Sequence, residues 1–221
     1  RNSAGKLITV LKAGGGVGAT TIAINLAREL TFKDAGRVAL VDMDVQFGGI
    51  EVSLDIEPRL NFSDAVRAGQ RLDATMLKSM MTQHKSGFDV LPAAKSVAPV
   101  DVITEDFVER FCELLKASYD VVILDMPTCW TPWFFSAFEA SDLILPVVTP
   151  TVRSADCARR IVQAITDLGL SQPRLLPVSN KTTRDTATPD RLKAISDILH
   201  SKIDLQVRED MRSEEHTSEL Q

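Results

Sequence analysis

A glycine-dense turn between an apolar run and an amphipathic run constrains this chain more than any other feature. Residues 12–21 read Lys12-Ala13-Gly14-Gly15-Gly16-Val17-Gly18-Ala19-Thr20-Thr21. The run Leu7 to Leu11 before it reads as a strand. The run Thr20 to Leu30 after it reads as a helix, with Ile22, Leu26 and Leu30 at helical spacing on one face. Glycines at such a junction let successive backbone N–H groups turn toward an anion, and the helix N-terminus adds its positive end. Gly15, Gly16, Val17, Gly18, Ala19, Thr20 and Thr21 are therefore the candidate phosphate-binding residues. The usual pattern G-x-x-x-x-G-K-[ST] has a lysine that reaches the β/γ-phosphates and a hydroxyl that reaches Mg²⁺. Here Ala19 stands in the lysine slot and Thr20 in the hydroxyl slot. The competing reading is a glycine-rich turn with no ligand; four glycines in the five positions 14–18, followed by Thr-Thr, weigh against it. Losing one partner of a buried charged pair costs roughly 2–5 kcal/mol. The loop predicts phosphate binding by amides without brisk hydrolysis.

Two acids strengthen this reading. An apolar run from Arg37 to Val41 ends in Asp42-Met43-Asp44, and another from Tyr119 to Leu124 ends in Asp125-Met126-Pro127. In open α/β sheets, ligands sit at the carboxyl ends of strands. Mg²⁺ takes oxygen ligands and keeps several waters. The hydroxyl of Thr20 with an acid acting through water would suffice, and a second acid could orient an attacking water. Either Asp alone could equally cap a helix or sit in a solvated loop.

These segments resemble the deviant Walker-motif ATPases, the group containing MinD and ParA. Their loop reads K-G-G-x-G-K-[ST]; aligned on Gly15-Gly16-Val17-Gly18, Gly14 falls in the signature-lysine slot and Ala19 in the ordinary one. Both cations are absent, and Lys12 lies two residues too early, reading as a strand-end lysine. The closer resemblance is to the CpaE/TadZ pilus-assembly branch. It rests on Gly-Val-Gly-Ala-Thr-Thr at 16–21, Val41-Asp42-Met43-Asp44-Val45-Gln46-Phe47-Gly48 with Leu54-Asp55-Ile56-Glu57-Pro58, His84-Lys85-Ser86-Gly87 leading to Val90-Leu91-Pro92-Ala93, and Asp125-Met126-Pro127 with Trp130 and Trp133. The resemblance implies a P-loop NTPase-like fold of the SIMIBI type, with ATP and Mg²⁺ as cofactors. It implies Thr20, Asp42 and Asp125 around the metal, Asp44 as the water-orienting catalytic residue, and Asn180 at the adenine edge. An ordinary turn role for Asn180 is equally open. The resemblance also implies a homodimer and partners among pilus and type II-like secretion machinery, not DNA. The implied location is cytoplasmic, at a cell pole or, by peripheral association, at the inner membrane face. Two rival functions stand beside it: a DNA-partitioning ParA-like ATPase and a scaffold that binds no nucleotide.

Strands and helices alternate along the chain. Strands are expected at 37–42, 88–92, 119–125, 142–148, 174–179 and 203–207, and helices at 62–69, 73–82, 104–117, 131–139, 153–168 and 188–199. Alternation of this kind predicts an α/β fold, a mostly parallel sheet with helices on both faces. At 221 residues and 44% hydrophobic content, one domain over 1–211 is the simplest expectation. Residues 212–221 match, codon by codon, a translated sequencing adapter and are expected to be an artefactual tail, and both termini are expected to be cuts.

The formal charge is −5, about −3 without that tail, and gives no footprint for nucleic acid. A local basic patch at Arg159, Arg160, Lys181, Arg184, Arg191 and Lys193 reads as solvated faces. Cys112, Cys129 and Cys157 have no metal-like spacing and read as reduced thiols. No apolar run approaches the ~20 residues of a membrane helix. The aromatics Trp130, Trp133, Phe134, Phe135 and Phe138 read as core, with a partner face as the alternative. His84 reads as structural, and the resemblance sets Asp210 near the family's adenine-loop position.

Overall fold

The computed structural model describes residues 4–94, 97–170, 174–200, 202–203 and 205–209. The adapter-like tail and Asp210 lie outside the described residues. In chain order the elements are β1 (Lys6–Lys12), α1 (Ala19–Phe32), β2 (Val38–Asp42), α2 (Ile50–Leu54), α3 (Phe62–Ala68), α4 (Ala74–Met80), β3 (Thr82–Gln83), β4 (Asp89–Leu91), α5 (Glu105–Ser118), β5 (Val121–Asp125), α6 (Phe134–Ala140), β6 (Leu143–Val148), α7 (Val152–Asp167), β7 (Arg174–Leu175), β8 (Val178–Thr182), α8 (Pro189–Leu199) and β9 (Leu205–Arg208). The architecture is the expected one, a mostly parallel sheet flanked by helices. Contacts divide the chain into two compact units. One comprises 1–11, 19–144 and 170–174, the other 12–18, 145–169 and 175–221.

In the first unit the strands run in the order β3-β4-β2-β5-β1, parallel except for the short antiparallel β3. Strand β5 lies between β1 and β2. Its register sets Val121 against Lys6 on one side and Val38 on the other, and Asp125 against Val10 and Asp42. All five residues of β2 are buried. Burial on both faces leaves no solvent side for polar residues, so such strands read as continuous apolar runs rather than alternating ones. That explains why β2 and β5 were legible as short runs ending abruptly in an acid.

Helix α1 buries Ala19, Ala23, Ile24 and Ala27, whereas Ile22, Leu26 and Leu30 are only half-buried. The large residues mark the flank of the contact; the alanines let the helix approach the strands closely. Helix α3 opens with a reciprocal cap between Asn61 and Asp64. Thr104 caps α5, which turns Phe107, Val108, Phe111, Cys112 and Leu115 inward. Phe62 packs on Phe111 with ring centroids 5.4 Å apart. Burial pushes the Cys112 thiol up to about 12, so it behaves as an inert apolar residue.

One expected helix is shorter and one helix was not expected. The helix expected at 73–82 ends at Met80, because Met81 takes an extended backbone and Thr82-Gln83 pair with β4. Helix α2 is too short, at five residues, for helical periodicity to reveal it.

In the second unit, β6, β8 and β9 are neighbours in parallel. Ala13, Val148, Ala155, Ala158, Ile195, Leu199 and Ile203 form its core. Thr151 caps α7 through the Ser154 amide, and Pro189 begins α8 where its missing N–H costs nothing. The strand expected at 174–179 is two strands interrupted at Leu176-Pro177, since proline cannot donate to the ladder. Asn180, expected just past a strand end, therefore lies within β8. Arg159 and Arg160 both pair with Asp156 on α7, which uses part of the basic patch inside one helix. No helix among the described residues is long and apolar enough to cross a membrane.

Asp142, just ahead of β6, ties the first unit together. Its carboxylate accepts from the Leu7 amide at 2.9 Å, from Lys6 Nζ at 2.8 Å and from Lys116 Nζ at 3.2 Å. Lys6 is 70% exposed and Lys116 only 23%. The solvated Lys6 pair is screened, so Lys116 and the amide carry most of the effect. Burial pushes the Asp142 carboxyl up, but these three donors outweigh it and hold it below its ordinary 3.8. A depressed carboxyl stabilises above its unfolded value and loses that contribution as pH falls through the folded one. Asp142→Ala is expected to cost about 2 kcal/mol in denaturant unfolding at neutral pH. The deficit relative to wild type should shrink below pH 4.

Candidate functional site

The carboxyl edge of the first unit holds three acids that do different things. Asp125, buried at the end of β5, accepts a 2.6 Å hydrogen bond from Thr20 Oγ1 in the first turn of α1. Asp42, in register beside it, turns its oxygens toward the backbone. Its Oδ1 accepts from the Asp44 amide at 3.1 Å, and its Oδ2 from the amides of Gly49 and Ile50 at 3.0 and 3.3 Å. Asp44 closes the turn after it, accepting from the amides of Gln46 and Phe47 at 3.3 and 2.9 Å. The acids read as metal-shell and water-orienting residues thus also build the loop 43–50. Gly48 makes the winding possible: a Cβ there would collide with Ala93 and with the Asp42 carboxylate. Sequence reasoning missed Gly49 and Ile50 as partners of Asp42, and Gly48 as the residue that leaves room for its carboxylate; the pair Gly48-Gly49 following the acids was the available signal.

In the second unit the loop holds Gly14, Gly16 and Gly18 at φ of 131°, 72° and 79°, in the left-handed range that only glycine enters freely. Gly15 and Gly16 are exposed, and Val17 is buried. Asn180 Nδ2 donates to the Val17 carbonyl at 2.9 Å, and a Cβ on Gly18 would strike that same amide nitrogen. Asn180 is therefore a clasp under the loop. Thr21 is exposed, with its carbonyl taken by Asn25 at 3.0 Å.

The remaining candidates are structural. Trp133, Phe134 and Phe138 are buried, with Phe134 and Phe138 edge-to-face at 5.8 Å; Trp130 packs on both and Phe135 is the exposed member. His84 is buried against Phe88 at 4.8 Å and its Nδ1 accepts from the Ser86 amide. Burial, then Lys85 and Arg28, lower its pKa from 6.5, favouring the neutral ring. All three cysteines are free thiols.

Residues 5–177 match the family described as AAA domain. The septum site-determining protein MinD of Thermotoga maritima is 25% identical over 199 residues, 89% of this chain and 72% of that protein. A ParA family ATPase from Chlorobium tepidum superposes with a TM-score of 0.83 at 22% identity, over 96% of this chain and 87% of that one. MinD from Pyrococcus horikoshii, solved with Mg-ADP, gives 0.77 at 19% identity, over 97% and 85%. This chain belongs to the AAA domain family.

The side chains around Thr20 fit a divalent cation such as Mg²⁺ to different degrees. Thr20 gives its proton to Asp125, so its oxygen lone pairs remain directed away from the acid. That pairing fits a hydroxyl ligand backed by an outer carboxylate. Asp42 fits less well as a ligand, because its two oxygens already accept three amides. No group of three or more His, Cys, Asp or Glu is arranged for a metal among the described residues, so the site lacks the ligand number of an all-protein cage.

Gly14, in the signature-lysine slot, has a backbone no lysine adopts comfortably. Gly14→Lys is expected to destabilise by about 1–2 kcal/mol in urea unfolding rather than restore a phosphate contact. Gly48→Ala is expected to unseat the 43–50 loop and raise its amide exchange, leaving the protection of β5 unchanged.

Proposed function

We propose that this chain binds Mg-ATP on the amides of its glycine loop and hydrolyses it slowly or not at all. The observation that carries the reading is the 2.6 Å Thr20–Asp125 pair, Thr20 following in sequence a glycine loop from which both lysines are missing. Loop amides 15–21 would hold the phosphates, with Thr20 and Asp125 serving the metal and Asp42 ordering the loop beside it. Bound there, Mg²⁺ would neutralise phosphate charge. Asp44 would orient a water where turnover occurs. Asn180 would reach the adenine only with the atoms not given to Val17. The mononucleotide complex of the Pyrococcus MinD supports a nucleotide in a chain of this fold.

The same reading places the protein in the CpaE/TadZ branch, as a homodimer that positions or assembles a tight-adherence pilus or type II-like secretion machine. It would work in the cytoplasm, at a pole or at the inner membrane face. The motifs at 42–58 and 125–133 support that branch. A DNA-partitioning role would need a basic face. The net charge of −5 and the pairing of Arg159 and Arg160 with Asp156 argue against one.

Mg-ATP at about 100 times its Kd should add roughly 2.7 kcal/mol of stability, read as a raised Tm. ATP turnover should stay at background in the same samples. Thr20→Ala should weaken Mg-ATP about tenfold while leaving Mg-free ATP nearly unchanged. Ala19→Lys should tighten phosphate binding. A wild type that neither shifts its Tm with Mg-ATP nor binds it would support the nucleotide-free scaffold, and salt-dependent DNA binding would support the partitioning rival.

A further inference from the structure

We propose that Lys181 supplies, from β8, the cation that the phosphate loop itself lacks. The inference rests on the nucleotide-binding reading above and assigns a residue outside the loop motif to it. Strand β8 carries a register irregularity opposite β9. Ser179 pairs with Gln206 and Thr182 with Arg208, so two residues of β8 stand where β9 has one. A bulge of this kind re-aims side chains and is common beside functional sites.

The two residues of the bulge are Asn180 and Lys181, and both lie against the loop. Asn180 is buried and holds the Val17 carbonyl at 2.9 Å. Lys181 is exposed, with its Cε 3.9 Å from where a Cβ on Gly18 would stand. Its stem therefore lies over the last glycine before α1, with the ammonium one bond beyond. Loop and bulge belong to the same compact unit.

Lys181 also has a left-handed backbone, φ 54°, where glycine would be the relaxed choice. Strain of this kind is tolerated where the surroundings over-determine it, and it clusters at ligand clamps. Among the described residues Lys181 makes no ion pair, so its charge is not committed elsewhere. Gly14 and Ala19 leave the two ordinary cation slots of the loop uncharged. A flexible four-carbon stem carrying a point charge suits a phosphate approached from the side. The ligand class is a polyphosphate ester, and the lysine acts on its phosphates rather than on its base.

The test uses displacement of a fluorescent ATP analogue by Mg-ATP and by inorganic tripolyphosphate. Wild type, Lys181→Gly and Lys181→Arg are compared, with Tm recorded for each. Glycine relieves the left-handed strain, so Lys181→Gly should keep or raise the Tm. It should lose about 10- to 100-fold in affinity for both competitors, while Lys181→Arg stays within a few-fold of wild type. Lys181→Gly binding both competitors like wild type would overturn the proposal. So would a loss for ATP without one for tripolyphosphate, which would assign the lysine to the nucleoside. A wild type that binds neither the analogue nor ATP would bring down the nucleotide reading itself, and the lysine's role with it.

Discussion

The structure depends on two carboxylates placed side by side at the ends of buried parallel strands. Asp42 and Asp125 occupy paired register positions on β2 and β5, and both are almost completely removed from solvent. Burying one carboxylate is expensive unless it is hydrogen-bonded, and two adjacent ones repel. The fold resolves the conflict by giving each a different set of donors. Asp125 takes the Thr20 hydroxyl, which fixes the first turn of α1 against β5. Asp42 takes three amides, which winds the 43–50 loop around it and sets the start of α2. Helix, strand and loop at this edge are therefore tied together through two acids.

The chain's departure from the usual loop has a structural counterpart. A signature lysine at position 14 would need a backbone that the left-handed Gly14 does not share. A loop without cations binds anions through amides alone, and amides do not follow the charge that develops during phosphoryl transfer as a lysine does. Binding and turnover are thereby separable properties. Asn180 bonds the Val17 carbonyl, so β8 as well as the loop's own glycines helps hold its conformation.

The parts of the molecule that could be read in advance are those with a local cause. The glycine run, the buried strands of β2 and β5, the amphipathic α5 and the acids at strand ends each follow from near neighbours in sequence. The misread parts have non-local or very short causes. Helix α1 carries large residues on its flank, and the alanines that pack most closely gave no hydrophobic signal. Helix α2 and strand β3 are shorter than any periodicity can resolve. The break before β8 is signalled only by Pro177 inside an otherwise apolar run.

By itself the sequence determined the class of fold, the glycine loop and the acids at the strand ends, because spacing, glycine content and apolar runs act over a few residues. Only the folded chain decided what those groups do. It brought Thr20 onto Asp125 across 105 positions, turned Asp42 toward backbone amides, and laid Asn180 and Lys181 against a loop more than 160 residues away. Those assignments come from strand register and from one bulge in β8, which pairing between distant segments creates and which no stretch of sequence encodes alone.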